Sequence, residues 1–284
     1  MTDNLNLEQK WLQTPAGKIC YFLNNEFAGK PTVVFLHGLS SNHTTWIKAM
    51  AELRKMEVNS LAPDLRGHGY SDKSKKRNLY EFPVFTQDLK QIVDQEKVSK
   101  IILVGYSFGG YVALDFTIKY PGLIQGLVLI STNHVNPLKY RRLAFLTPLA
   151  YGFLNLVAWL LLWQKRKNYF YYDLQTNSGY WQSTLKGLTT MPLSINLWML
   201  SEVANLDFGE SLNKIACPTL IIKSQSDLFV SAAEANDMIK KIKQTKLIVM
   251  KESTHFLASR LQEKISKDII DFLYENKLNE NCNL

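Results

Sequence analysis

Gly105-Tyr106-Ser107-Phe108-Gly109-Gly110 lies between two apolar runs, Ile101-Ile102-Leu103-Val104 and Tyr111-Val112-Ala113-Leu114-Asp115-Phe116. The first run reads as a buried parallel strand. The second has the apolar spacing of a helix packed on a sheet. A chain that leaves a strand and enters a helix within so few residues must turn sharply. Glycines two residues before and two after Ser107 remove side chains that would collide in that turn. Ser107 is then expected to protrude with strained backbone geometry at a helix N-terminus. Such a placement suits a nucleophile, because an oxyanion formed there meets backbone N–H groups already in position. Gly-x-Ser-x-Gly also arises by chance at glycine-rich turns, so partners elsewhere in the chain decide the reading.

The chain has 284 residues, enough for one large domain or a domain with an insertion. With 46% hydrophobic and 20% charged residues it is expected to fold around a substantial core. The net charge of +8 would suit nucleic acid or an anionic membrane. The lysines are scattered over many segments, which favours an ordinary basic surface, and no nucleic-acid partner is expected. Three widely spaced cysteines, Cys20, Cys217 and Cys282, argue against a disulfide framework or a zinc site. A reducing, cytoplasmic setting follows. Residues 1–13 lack the apolar core of a signal peptide.

Along the chain, 7–14 and 18–23 read as a hairpin around Pro15-Ala16-Gly17, and 32–36 as a buried strand ending in His37-Gly38. A helix is expected over 44–54, a strand over 58–62, a glycine-rich loop over 63–72, and a helix over 82–95. Strand 124–130 follows the Ser107 helix. Strand–helix alternation predicts an α/β fold with a mostly parallel, doubly wound sheet. It breaks after Asn133, turns helical and aromatic, and resumes with strands at 218–223 and 246–250 and helices at 232–242 and 261–275. A core of 1–133 and 213–284 with a helical cap at 134–212, inserted between two sheet strands, is the expected organisation.

Serine at its ordinary pKa needs a base, and the base needs an orienting acid. Loops at the carboxyl ends of parallel strands are the place to look. Asp227 follows strand 218–223, and His255 follows strand 246–250. The order serine, acid, histidine is the one expected for this architecture. His43, His68 and His134 fall in loops or in the insertion, and His37 is tied to Gly38 in what reads as a structural role. Asp207 and Glu202 are weaker acids, because both fall inside the insertion. The competing role for Asp227, capping the helix at 232, is disfavoured because Asp227 lies several residues too early. For an oxyanion hole, one donor is the N–H of Phe108. The other is expected from the loop after strand 32–36, where Gly38 allows close approach and Leu39 N–H is the candidate.

His37-Gly38, the loop Asp64-x-Arg66-Gly67-His68-Gly69-x-Ser71, Gly105-x-Ser107-x-Gly109-Gly110, Asp227 and His255 together resemble the α/β-hydrolase superfamily. The resemblance covers nearly the whole chain except the insertion. It implies lidded serine esterases or lipases, similar to monoacylglycerol lipases or carboxylesterases. It gives the Asp64–Ser71 loop a structural purpose and the insertion the place of the cap that shapes the substrate pocket.

That insertion contains an unusual run, LAFLTPLAYGFLNLVAWLLLW, residues 143–163, without a single charge. Lys139, Arg141 and Arg142 precede it, and Lys165, Arg166 and Lys167 follow it. Length alone would allow a membrane span. A single crossing, however, would put Ser107 and His255 on opposite sides of the bilayer, and Pro148, Gly152 and Asn155 are expected to interrupt one long helix. Two readings remain. In one, a pair of cap helices turns its apolar faces over the active site. In the other, the lid also dips into a membrane interface, giving a peripheral membrane contact. Met191, Leu193, Ile195, Leu197, Trp198, Met199 and Leu200 form a second apolar patch.

The leading expectation is a serine hydrolase cleaving an apolar carboxylic ester, a lipid or a short- or medium-chain acyl ester, without metal or organic cofactor. Ser107 is the nucleophile, His255 the base, Asp227 the orienting acid, and Leu39 and Phe108 the oxyanion donors. The same triad supports carbon–carbon bond hydrolysis, acyl transfer, or a lyase of the menaquinone-pathway type. A non-catalytic binding protein on the same fold is the other class, and retention of all three triad residues argues against it. Oligomeric state is not legible.

Overall fold

Continuous apolar runs become strands buried on both faces, and their alternation sorts side chains into two cores. The computed structural model describes residues 7–136, 143–164, 189–227, 229–251 and 259–279. Eight strands form one sheet in the order β1-β2-β4-β3-β5-β6-β7-β8. They are β1 (Glu8–Thr14), β2 (Gly17–Asn24), β3 (Thr32–Leu36), β4 (Asn59–Pro63), β5 (Ile101–Tyr106), β6 (Ile124–Ile130), β7 (Thr219–Ser224) and β8 (Thr245–Met250). β1 and β2 pair antiparallel, as do β2 and β4, and every later pair is parallel. The hairpin, the parallel core and the strand positions agree with the sequence reading to within a residue or so.

Val33 and Phe35 of β3, with Ile102 and Val104 of β5, face α1 (Ile47–Lys55) and the last helix, α7 (Ser259–Glu275). Val34, Leu36, Ile101 and Leu103 face the opposite way. There they meet α2 (Phe82–Gln95), α3 (Phe108–Lys119) and α6 (Ala232–Lys241). The period of two along each strand thus builds two apolar layers, one per face.

The expected helix over 44–54 divides into a 3-10 turn, His43–Trp46, and α1. Asn42 caps the turn, its side chain accepting from Thr44 N–H at 3.0 Å. Between β6 and β7 the chain leaves the sheet and forms two described helices, α4 (Thr147–Leu160) and α5 (Leu193–Ala204), which pack on each other. The outgoing and returning segments run side by side: Val135 bridges Asp207, Asn136 N–H donates to Leu206 O, and Phe208 N–H donates to His134 O.

Two expectations about the insertion are corrected. Pro148, Gly152 and Asn155 do not break the uncharged run; all three lie in α4. Pro148 sits in the first turn, where its missing N–H would have no intrahelical partner. The apolar side chains of α4 do not simply roof the site either. Only Ala158 of this helix is fully buried, while Leu149, Phe153, Leu156, Trp159 and Leu160 are exposed. The patch 191–200 behaves differently: Met191, Ile195, Trp198 and Met199 are core residues.

Candidate active site

β5 delivers Ser107 to the carboxyl edge of the sheet, and α3 starts at the next residue. Ser107 has φ 50° and ψ −113°, a conformation that costs an L-residue energy and persists only where neighbours enforce it. The enforcement is visible. Ser107 N–H donates to Ile130 O at 2.9 Å, and Gly110 N–H donates to Ser107 O at 2.9 Å. A Cβ on Gly105 would stand 2.5 Å from Gly110 Cα, and one on Gly109 would stand 2.4 Å from Leu36 O. These glycines let α3 begin almost in contact with the ends of β3 and β5. Ser107 is partly exposed within a stretch whose neighbours on both sides are buried.

The loop after β3 comes alongside. A Cβ on Gly38 would lie 3.5 Å from Ser107 Cβ and collide with the Tyr106 ring. His37, fully buried, holds this loop. Its Nε2 accepts from Leu65 N–H at 3.0 Å, so the ring proton sits on Nδ1, which donates to Gly38 O at 2.8 Å. Burial holds the imidazole down to about 4, which the charge of Asp64 and the Gly38 hydrogen bond only partly offset. Ser41 N–H also donates to Gly38 O. In a trans peptide the C=O and N–H point opposite ways. Fixing the Gly38 carbonyl therefore turns Leu39 N–H away from His37. Among the described residues, neither Leu39 N–H nor Phe108 N–H makes a hydrogen bond. Unpaired N–H groups on such well-packed backbone are uncommon. Two of them near one strained serine form a ready pair of donors.

His68 lies beneath this loop, its ring edge-on to His37 at 4.8 Å between centroids. Burial pushes it well below the usual histidine value. The rest of the Asp64–Ser71 loop is structural. Asp64, fully buried, accepts from His43 N–H and His43 Nδ1, each at 2.8 Å, and from Tyr70 N–H at 2.8 Å. Arg66 grips Asp88 of α2 with two hydrogen bonds of 2.9 and 2.7 Å and reaches Ala16 O and Thr14 in the hairpin.

Asp227 stands in the loop after β7, on the same sheet edge as Ser107. Its Oδ1 accepts from Phe229 N–H at 2.8 Å and Val230 N–H at 3.1 Å, which orients the carboxylate. It does not cap α6. Ser231 does, in a capping box with Glu234. Asp227 is close enough to contribute, after burial and Glu234, to the raised pKa of Tyr111 on α3. The weaker acids are employed elsewhere: Asp207 Oδ1 accepts from Gly209 N–H at 2.9 Å, and Glu202 accepts from Arg77 at 2.9 Å. His134 is buried, bonded through Nε2 to Asp237 of α6 at 2.8 Å. His255 lies outside the described residues.

The structure thus brings Ser107, Phe108 and the Leu39 loop together and sets Asp227 on the same edge. Sequence reasoning missed a link between the loop after β3 and helix α5. Ser40, at φ 60°, donates from Oγ to Asn196 Oδ1 of α5 at 2.5 Å. Nothing in the separation of 156 residues signals that pair. Among the described residues no cluster of His, Cys, Asp and Glu could hold a metal.

Residues 31–258 match the family model described as alpha/beta hydrolase fold. Human "Epoxide hydrolase 4" is 27% identical over 271 residues, covering 87% of this chain and 73% of that protein. Mouse "Serine hydrolase BPHL" is 26% identical over 258 residues, covering 86% and 80%. Among solved structures, a thermophilic esterase from Thermogutta terrifontis superposes with a TM-score of 0.73 at 22% identity, covering 96% of this chain and all of that one, a likeness of fold.

Proposed function

The chain belongs to the alpha/beta hydrolase fold family, and on that premise we propose that it is a serine hydrolase cleaving an apolar carboxylic ester. The observation that carries this reading is the strained Ser107 flanked by the two unpaired N–H groups of Leu39 and Phe108. In the proposed reaction His255 takes the Ser107 hydroxyl proton as Oγ attacks the ester carbonyl. Asp227 holds the His255 tautomer and stabilises the imidazolium. The Leu39 and Phe108 N–H groups bind the oxyanion. His255 returns the proton to the leaving alcohol, then draws one from water, which cleaves the acyl-enzyme to the acid and frees Ser107.

Serine in this position favours acyl substrates over the epoxides that the human relative's name implies. Attack of a serine oxygen on an epoxide leaves an ether, which water cannot then hydrolyse under these conditions. Attack on an ester leaves a hydrolysable ester. The buried apolar side chains Ile195, Trp198 and Met199 of α5, the helix bonded to the loop after β3, support a greasy acyl or alkyl group, with residues 134–212 as the substrate-reading insertion.

A fluorophosphonate probe tests the assignment. Labelling is expected in the intact chain and lost in both Ser107→Ala and His255→Ala; labelling that survives Ser107→Ala removes the nucleophile from this reading. In a p-nitrophenyl ester series, rates are expected to rise with acyl length. Flat, near-zero rates would move the triad to another reaction.

A further inference from the structure

Helix α4 is built inside out. Its polar face looks inward: Arg77 Nε donates to Asn155 Oδ1 at 2.6 Å, and Arg77 Nη2 donates to Tyr151 OH and, at 2.9 Å, to Glu202 of α5. The guanidinium also lies 5.4 Å from the Tyr151 ring centroid. Ala158 is fully buried and Leu162 packs on the core. These contacts fix the rotation of the helix about its axis.

The opposite face is apolar and open. Phe145, Leu149, Phe153, Leu156, Leu160 and Trp163 recur every three or four residues, each 54–74% exposed, with Trp159 beside them. Together they present roughly 900 Å² if a fully exposed aromatic offers about 200 Å². The largest apolar patch on an ordinary monomer is about 300–600 Å². A Cβ added at Gly152, on the same helix, would touch nothing within 4 Å. Water is a poor occupant for such a surface.

We infer that this outward face of α4 docks on an anionic lipid surface. The charge around it selects that occupant. Lys75 and Lys76 are exposed next to Arg77, the residue that clamps the helix. In sequence the uncharged run is bracketed by three basic residues on each side, and the whole chain carries +8. A second copy would bring like charges together, whereas anionic headgroups complement them. Two tryptophans on the open side suit headgroup depth. The helix lies on the interface rather than crossing it. Its 14 residues span about 21 Å, against a hydrocarbon core of about 30 Å. No described helix is long and apolar enough to cross. The inference rests on the apolar face of α4 and the charge around it, and stands whether or not Ser107 is the nucleophile.

The test is co-sedimentation of the full chain with phosphatidylcholine vesicles, with and without phosphatidylglycerol. Binding is expected to anionic vesicles, to weaken with salt, and to be much poorer to phosphatidylcholine alone. Phe153→Ser/Trp159→Ser, both exposed, is expected to lower the partition coefficient at least about tenfold. Lys75→Glu/Lys76→Glu is a second variant that leaves the apolar stripe intact, expected to weaken only the anionic binding, again by about tenfold. Circular dichroism confirms that each variant folds. Failure of the intact chain to pellet with anionic vesicles overturns the inference, as does unchanged binding by both variants. A dimer in sedimentation velocity that Phe153→Ser/Trp159→Ser dissolves, without vesicle binding, gives the face to a second copy and overturns it too.

Discussion

His37 makes the folded chain sensitive to acid, in a window it shares with the buried His68 and His134. In the unfolded chain its pKa is about 6.5; in the folded protein burial lowers it to about 4. Between those values the unfolded state binds a proton that the native state refuses, so stability falls as pH falls from about 6.5 to about 4 and then levels off. The displacement corresponds to about 3 kcal/mol, a sizeable share of the stability of a typical domain. The structural reason is specific. Protonating Nε2 would aim its new N–H at the Leu65 N–H that it now accepts from at 3.0 Å. Asp64 works in a different window. Burial pushes its pKa up, but hydrogen bonds and charge from His43 outweigh that and leave it lowered, so the stability it adds fades only below the usual carboxylate range. Urea unfolding midpoints between pH 7.5 and 4.5 measure the slope. His37→Gln keeps an acceptor for Leu65 N–H and cannot titrate. Its slope is expected to be shallower than that of the parent by about one proton, with the His68 contribution common to both. Equal slopes, or a His37 ring that titrates near 6.5 by NMR, would refute the reasoning.

Two further substitutions probe the frame around Ser107. Gly109→Ala places a Cβ 2.4 Å from Leu36 O and 2.6 Å from His37 O, both backbone atoms; a loss of about 2–3 kcal/mol and a Tm drop of roughly 5–10 °C are expected in thermal melts, and a Tm within about 2 °C of the parent would contradict the packing described. Arg66→Met strands the buried Asp88 carboxylate and is expected to cost about 3–5 kcal/mol in urea titration, most of it recovered in Arg66→Met/Asp88→Leu; a single variant within about 1 kcal/mol of the parent would show that the pair matters little.

The sheet was legible because strands buried on both faces write themselves as unbroken apolar runs, as 32–36 and 101–106 do. Ser107 was legible because its turn leaves space only for glycine at 105 and 109, a constraint that shows in single letters. Asp227 was singled out as the candidate acid by topology, from its place after a parallel strand. What stayed hidden depends on contacts between distant segments. Asn196 and Ser40 meet only because α5 lies over the loop after β3. The orientation of α4 was also unreadable, because a run apolar on every side has no marked inside. Its few polar residues, Tyr151 and Asn155, would ordinarily mark the wet face, yet they are the ones turned inward to Arg77. Pro148, Gly152 and Asn155 misled as breakers because type alone says little: proline in a first turn and glycine on an open face cost a helix little.

The single hydrogen bond from Ser40 to Asn196 has a consequence for how this protein can be altered. One residue separates Ser40 from the carbonyl whose peptide carries the Leu39 donor, so the height at which α5 sits is transmitted to the atom that would meet the developing charge. A cap grafted from a relative would therefore change more than which molecules enter. Unless it supplies an acceptor where Asn196 Oδ1 now stands, it would detune the turnover of every substrate alike, and a screen for altered selectivity would discard it as merely inactive.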